Sequence, residues 1–145
     1  MNVARFLTPK RDVVCLSDRS TMRQALERME AHRYSAVPIL DEEGRYVATI
    51  TEGDILFRIK HSLGTWREEA EHTPLMAIER RLDHRAVHID AEMETLISLA
   101  IAQNFVPVVD DREVFVGIVG RKAIIEYCAK LIEEKRDSQR GGAAG

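Results

Sequence analysis

Four residues in the middle of the chain, Thr51-Glu52-Gly53-Asp54, place a hydroxyl and a carboxylate three positions apart. They follow an apolar, β-prone segment and precede a segment with helical periodicity, so they lie at the start of a helix. Free backbone N–H groups at a helix start suit a phosphate, and the Asp54 carboxylate can accept hydrogen bonds from both hydroxyls of a ribose. The same Thr-x-x-Asp pattern is also an ordinary helix cap worth about 1 kcal/mol, so both interpretations stay open.

A second junction of the same kind, Gly120-Arg121-Lys122-Ala123, carries positive charge instead. Two cations in the first turn of a helix oppose the helix dipole, and a bound anion would remove that misfit. The alternative is that both side chains are simply solvated. The string GIVGRK lacks the spacing of a phosphate-binding P-loop and the Ser or Thr that should follow it, which argues against ATP hydrolysis.

Other reactive side chains form weaker patterns. His84 and His88 are four residues apart, but His88 alternates with Val87 and Ile89 in a predicted strand, so the pair does not share a helix face. The sequence contains no Gly-x-Ser-x-Gly, no His-Glu-x-x-His and no credible Cys and His pairing. We therefore expect no catalytic residues, no metal site and no required cofactor.

The two junctions occupy matching places in an internal duplication. YSAVPILDEEGRYVATITEGDI at 34–55 and NFVPVVDDREVFVGIVGRKAI at 104–124 align without gaps at an offset of 69 residues. Upstream, Met22, Ala25, Leu26 and Met29 repeat as Met93, Leu96, Ile97 and Ala100, at helical spacing.

Each copy is predicted to run strand, helix, strand, strand, helix, so we expect an α/β (α+β) chain of two βαββα repeats. Neither small sheet can cover both of its faces alone, which predicts that the sheets pack together with pseudo-twofold symmetry. The expected boundaries are a first repeat at 1–63, a connecting segment at 64–82, a second repeat at 83–132 and a disordered tail at 133–145. Pro38 cannot donate to a ladder, so it is expected at the beginning of its strand or on a sheet edge.

Bulk properties exclude several classes of protein. The 145 residues are 45% apolar and 31% charged with a formal charge of −3, so nothing attracts the chain to nucleic acid in general. No apolar run is long enough for a signal peptide or a membrane span. The two cysteines, Cys15 and Cys128, lie in apolar runs and suggest a reducing compartment. We expect a cytoplasmic protein.

The segments FLTPKRDVVCL, YSAVPILDEEGRYVATITEGDIL and FVPVVDDREVFVGIVGRKAI resemble a tandem pair of CBS domains, over about residues 5–132. The resemblance implies two repeats packed into a pseudo-twofold disc, with two clefts that bind adenine nucleotides. Each cleft combines the start of an inner strand of one repeat with the strand-to-helix junction of the other.

The resemblance also implies which residues contact a ligand. The first cleft would join Thr51 and Asp54 to Asn104, Phe105, Val106 and Pro107. The second would join Tyr34, Ser35, Ala36 and Val37 to Gly120, Arg121 and Lys122, with Val13 and Val14 at its base. The second cleft lacks the Thr and Asp of a ribose site, and its Arg121 and Lys122 resemble stand-alone bacterial CBS-pair proteins that bind cyclic di-AMP.

The sequence therefore predicts a regulatory protein without enzymatic activity, which binds AMP, ADP, ATP or cyclic di-AMP and signals to a partner protein. The resemblance implies a homodimer formed through the second helix of each repeat, with Ile55, Leu56, Ile124 and Tyr127 as its face. The main alternative is an interaction module with empty clefts, in which Thr51 and Asp54 are only a helix cap. An enzyme is a further alternative, and it would be revealed by turnover of ATP or cyclic di-AMP.

Overall fold

The computed structural model describes residues 1–62 and 64–143. Within them the chain forms seven strands and five α-helices. The strands are β1 (Thr8–Pro9), β2 (Leu16–Ser17), β3 (Ala36–Leu40), β4 (Tyr46–Thr51), β5 (Val87–His88), β6 (Phe105–Val109) and β7 (Phe115–Gly120). The helices are α1 (Met22–His32), α2 (Glu52–Lys60), α3 (Trp66–His72), α4 (Met93–Ala100) and α5 (Arg121–Ala143).

The duplication is confirmed element by element. In the first repeat β2 is parallel to β3 and β3 is antiparallel to β4; in the second, β5, β6 and β7 pair in the same way. The β3–β4 ladder shifts register between Ile39 and Leu40, and the β6–β7 ladder shifts at the matching residues Val108 and Val109. The fold is the predicted α/β arrangement of two βαββα repeats.

The repeats meet around a pseudo-twofold axis between β4 and β7. The Tyr46 N–H donates to the carbonyl of Glu113, and the Phe115 N–H donates to the carbonyl of Gly44. The rings of Tyr46 and Phe115, which occupy matching positions, stack with centroids 6.4 Å apart. Each repeat keeps its own buried cluster, one around Ile39 and Ile50 and the other around Val108 and Val119.

The first segment of each repeat crosses to the other. Residues 1–9 pack on the second repeat: Val3 is fully buried in its core and β1 pairs antiparallel with β7. The connecting segment does the converse, because Leu75 is fully buried in the core of the first repeat. Residues 1–9 therefore complete the core of the second repeat, and the connecting segment completes the core of the first.

Pro38 is the third residue of β3, and β3 is the central strand between β2 and β4. The prediction that Pro38 lies at the beginning of a strand or on a sheet edge is therefore wrong. The reason is that β2 is short and pairs only with Ile39 and Leu40. At Pro38 the strand has a neighbour on the β4 side alone, so the missing N–H interrupts no ladder with β2.

The predicted disordered tail differs from the structure, in which α5 continues to Ala143. Residues 133–142 are exposed on all sides, so packing does not hold them in place. Glu, Lys, Arg and Gln are good helix formers, and pairs such as Glu126 with Lys130 and Lys130 with Glu134 have helical i,i+4 spacing. Leu63, the last residue of the predicted first repeat, and residues 144–145 lie outside the described residues.

The predicted dimer face is also corrected. Ile55, Ile124 and Tyr127 are buried in the cores of their own repeats, and of the four predicted residues only Leu56 is exposed. Helical periodicity identifies an apolar stripe, but here that stripe faces the chain's own sheets. Among the described residues, the exposed large apolar side chains of α2 and α5 are Leu56, Phe57, Ile125, Leu131 and Ile132.

Candidate functional site

The junction of β4 and α2 is a capping box. The Thr51 hydroxyl oxygen accepts from the Asp54 N–H at 3.2 Å, and Asp54 Oδ2 accepts from the Thr51 N–H at 3.0 Å. The other carboxylate oxygen, Oδ1, accepts from the Arg81 N–H at 3.0 Å. Asp54 is only 4% exposed, and it ties the start of α2 to the connecting segment that passes over it. The helix-cap geometry that the sequence allowed is therefore present.

This junction forms one wall of a cavity of about 900 Å³ between the repeats. Its lining residues are Ser35, Thr51, Glu52, Gly53, Asp54, Phe57, Glu79, Arg81, Leu82, His84, Ala102 and Asn104. Thr51, Asp54 and Asn104 are thus brought together as predicted for the first cleft. Ser35, which was assigned to the second cleft, lines the first one instead.

Asn104 and Ser35 close the cavity at the pseudo-twofold axis. They occupy matching positions in the two repeats, and the Asn104 Nδ2 donates to the Ser35 hydroxyl at 3.3 Å. Their carbonyls accept from matching N–H groups, Glu52 for Ser35 and Arg121 for Asn104. The axis therefore passes beside the cavity, and both repeats contribute to its wall.

The strand residues predicted beside Asn104 lie behind the cavity wall. Val106 is fully buried in the core of the second repeat, and Pro107 pairs with Ile118 within the sheet. The Phe105 ring lies 6.0 Å from the imidazole of His84, at an interplanar angle of 41°. Phe105 therefore supports the wall through His84.

His84 is a site residue that the sequence analysis missed. Its side chain is 3% exposed, and neither ring nitrogen has a hydrogen-bond partner among the described residues. Burial lowers the pKa of His84, although the Leu82 carbonyl and the charges of Asp54 and Asp83 act in the opposite direction. The backbone is fixed from the other side, because the Tyr46 hydroxyl donates to the His84 carbonyl at 3.0 Å.

The sequence considered His84 only as a metal ligand paired with His88. In the structure His88 is part of β5 and bonds the Asp111 carboxylate at the surface, whereas His84 is buried beside the cavity. In residues 1–62 and 64–143 no group of three or more His, Cys, Asp or Glu side chains is placed to hold a metal ion. In the sequence His84 stands just before a predicted strand, and that position alone gave no reason to expect a buried side chain.

The charges around the cavity are mixed. Glu52 and Glu79 line it together with the buried Asp54, and Arg81 is its cation. Within the described part of the chain, the Arg81 guanidinium forms no ion pair. The N–H groups of Glu52 and Asp54 at the start of α2 already donate to Ser35 and Thr51, so Arg81 is the group that would attract a phosphate.

The second predicted cleft has a different local structure. The Arg121 guanidinium donates to the Gln103 carbonyl through Nε at 3.1 Å and Nη2 at 2.7 Å. Lys122 points into solvent, 4.0 Å from the Glu126 carboxylate. The other predicted residues differ in exposure: Tyr34 is exposed and stacks on His32, Val37 is fully buried, Ala36, Val13 and Val14 are half-buried, and the space beside Gly120 is open. Ligand binding by these residues stays a prediction.

We expect Arg121→Ala to lower the free energy of unfolding by roughly 1 to 3 kcal/mol, because the substitution removes two charge-assisted hydrogen bonds to the Gln103 carbonyl. Lys122→Ala is the matched control, since its solvated side chain should change stability by no more than about 0.5 kcal/mol. Urea unfolding of both variants measures the difference. Equal stability of the two variants would show that the Arg121 contact contributes nothing.

None of the helices in the described residues is both long and apolar enough to cross a membrane.

Comparison with known proteins identifies the family. The model of the CBS domain matches residues 3–61 and 72–130, which correspond to the two repeats. The chain belongs to the CBS domain family, as the sequence resemblance predicted.

Individual relatives agree with this fold. CbpB of Listeria monocytogenes, solved in complex with c-di-AMP, is 23% identical, with a TM-score of 0.77 over 90% of this chain and 97% of that chain. CBSX2, solved in complex with AMP, is 18% identical, with a TM-score of 0.71 over 89% of this chain and 97% of that chain. Inosine-5'-monophosphate dehydrogenase of Methanocaldococcus jannaschii is 43% identical over 51 residues, which are 35% of this chain and 10% of that enzyme. The matched stretch thus spans about a tenth of that relative's length.

Proposed function

We propose that this protein is a sensor without enzymatic activity, which binds an adenine nucleotide in the cavity beside Thr51 and Asp54 and thereby changes its presentation to a partner protein. The observation that carries the proposal is the cavity itself, because it joins the Thr51 and Asp54 junction of one repeat to Asn104 of the other. A volume of about 900 Å³ is within the range of small-molecule sites.

The capping role of Asp54 does not exclude a ribose-binding role. Its two oxygens each accept one backbone N–H, from Thr51 and from Arg81. A carboxylate has about four acceptor positions, so two remain for the hydroxyls of a ribose. The cap holds the carboxylate in a fixed orientation, which reduces the entropy lost when a ligand binds.

Two ligand classes fit this cavity. A second cavity of about 750 Å³ lies between α2 and α3, and it shares Asp54, Phe57 and Glu79 with the first. Together they have room for more than one nucleotide unit, so cyclic di-AMP is a candidate beside AMP, ADP and ATP. The relatives solved with c-di-AMP and with AMP support the same two classes.

Thermal unfolding with a panel of ligands tests the proposal: AMP, ADP, ATP, cyclic di-AMP and, as an adenosine compound without phosphate, S-adenosylmethionine. A ligand at 100 times its dissociation constant should stabilise the chain by roughly 2.7 kcal/mol, which raises Tm by several degrees for a protein of this size. We expect that rise with at least one of the four nucleotides. No rise with any of them would contradict the proposal.

The alternative is an interaction module in which the cleft stays empty. It is favoured by one observation, that both oxygens of Asp54 already accept backbone hydrogen bonds. This alternative predicts no ligand-induced change in Tm. It also predicts that substitutions at Asp54 affect stability alone.

We further propose that two copies associate through the second helices of their repeats. Leu56 of α2 and Ile125 of α5 occupy matching positions, and both are more than half exposed, at 54% and 59%. An apolar side chain exposed at the same place in each repeat is what a symmetric dimer would cover.

The cytoplasmic location remains part of the proposal, supported by the two free cysteines, Cys15 and Cys128.

We expect Ile125→Glu to convert the dimer to a monomer, because a carboxylate would be buried without a partner in the apolar contact. Sedimentation velocity at micromolar concentration measures the change. Ile101→Glu is the control, since Ile101 is 84% exposed beside α4 and lies outside the proposed face. A wild-type protein that sediments as a monomer, or a dimer that persists in Ile125→Glu, would refute this interface.

A further inference from the structure

The imidazole of His84 is an unpaired polar group in the wall of the cavity. His84 is only 3% exposed, and neither ring nitrogen has a hydrogen-bond partner in residues 1–62 and 64–143. Leaving a buried polar group unpaired costs about 1 to 3 kcal/mol, so such a group calls for an explanation. A ligand in the adjoining cavity would supply the missing partner if the ring turns toward it.

The surroundings of the ring select its neutral form and one tautomer. Burial outweighs the opposing charges of Asp54 and Asp83, so the pKa of His84 lies below its usual value. The carbonyl of Leu82 faces the ring without reaching normal hydrogen-bond geometry. A carbonyl favours the proton on the nearer nitrogen, which leaves the other nitrogen as an acceptor.

The charges beside the ring indicate which part of a nucleotide approaches it. Asp54 of α2 and the adjacent Asp83 are the acids nearest to the imidazole, and Glu79 lines the same cavity. The facing residue of β6 is the uncharged Phe105, and the cation that lines the cavity is Arg81, whose backbone N–H donates to Asp54. A phosphate beside His84 would be repelled, whereas an uncharged base would not.

We propose that His84 determines the base specificity of the cleft, by accepting a hydrogen bond from the exocyclic amino group of a bound 6-aminopurine. This inference rests on the proposed nucleotide-binding function. A 6-oxopurine would place an oxygen against the lone pair of the same nitrogen, so the cleft selects the amino compound. The base then lies at His84 and Phe105, and the phosphate lies toward Arg81.

AMP and IMP are the matched ligands for the test, because they differ only at this edge of the purine. We expect the wild-type protein to bind AMP roughly ten- to a hundred-fold more tightly than IMP, the range expected when a site pairs a ligand N–H. In His84→Phe, which keeps an aromatic ring beside Phe105, the ratio should fall to about one. His84→Leu also removes both nitrogens, and it replaces His84→Phe if the larger ring prevents folding.

The pH dependence gives a second readout that a purely structural role would not change. Protonation of His84 removes the acceptor lone pair, so AMP affinity should fall relative to IMP affinity as the pH is lowered through the pKa of His84, which burial holds below its usual value. The phosphates of AMP and IMP titrate alike, and the ratio of the two affinities cancels that contribution. In His84→Phe the ratio should not change with pH.

Isothermal titration calorimetry of the intact protein with AMP and IMP measures all of these quantities. A preference for AMP that disappears in the His84 variants supports the inference. Equal affinities in the wild type, or an unchanged preference in a folded variant, overturns it while leaving the nucleotide site in place. The absence of binding by AMP, ADP, ATP and cyclic di-AMP alike contradicts the proposed function itself.

Discussion

Replacing Asp54 with alanine should weaken AMP binding roughly ten- to a hundred-fold, because the ribose hydroxyls lose a charged acceptor worth about 1.5 to 3 kcal/mol. The same substitution removes a capping box and leaves the Arg81 N–H without its acceptor. We therefore also expect the free energy of unfolding to fall by about 1 to 2 kcal/mol. Calorimetric titration and urea unfolding measure the two effects separately.

The control for this substitution is a second capping box outside the cleft. At the start of α1 the Gln24 side chain accepts from the Thr21 N–H at 2.8 Å, and the Thr21 hydroxyl accepts from the Gln24 N–H at 3.3 Å. Gln24→Ala should reduce stability through its cap and leave AMP affinity unchanged. If both variants bind AMP as the wild type does, Asp54 is a helix cap and no more.

Replacing Gly117 with alanine should produce the largest loss of stability. A Cβ at this position would lie 2.2 Å from the carbonyl oxygen of Thr8 and 2.9 Å from the Leu7 side chain. The obstacle is backbone, and the Pro9 and Gly117 pair belongs to the β1–β7 ladder, so the segment at 1–9 must shift. We expect the free energy of unfolding to fall by about 3 kcal/mol, a drop in Tm of roughly 10 °C.

Gly120 in the same strand provides the comparison. Apart from Gly120 and its two chain neighbours, no heavy atom of the described residues lies within 4 Å of the place where its Cβ would be, so Gly120→Ala should change stability by no more than about 0.5 kcal/mol. Differential scanning calorimetry of the two variants shows whether the cost arises from the close approach of β1. A Gly117→Ala protein as stable as the wild type would mean that β1 does not pair with β7.

The glycine also explains a difference between the repeats. The matching residue of the first repeat is Ala48, which is buried in β4, a strand with only β3 beside it. In the second repeat the additional strand β1 occupies that side of β7. The offset of 69 residues aligns Ala48 with Gly117, but the reason for the change is visible only once residues 1–9 are placed on the second repeat.

Much of the fold could be predicted from the duplication. An ungapped repeat puts equivalent residues in equivalent places, so the strand order that the two sheets share, the paired register shifts and the contact between the matching Tyr46 and Phe115 agree with one alignment. That Asp54 and Asn104 would face one cleft was implied by the resemblance to CBS domains, and both residues line the cavity.

The features that sequence reasoning missed depend on contacts between segments distant in the chain. Arg81 and His84 belong to the connecting segment, whose composition gives no sign that it passes over the start of α2. The bonds from Arg121 to the Gln103 carbonyl involve a backbone atom, which no side-chain pattern encodes. Periodicity likewise located the apolar residues of α2 and α5 without showing that Ile55 and Ile124 face inward.

The stoichiometry of AMP binding to the intact wild-type protein tests the central claim most directly. Calorimetric titration should give one AMP for each chain, because the first cleft is an open cavity, whereas the Arg121 guanidinium of the second is already bonded to Gln103. Saturable binding at that ratio would support a nucleotide sensor with one site in each chain. The absence of binding by AMP, ADP, ATP and cyclic di-AMP at millimolar concentration would contradict it.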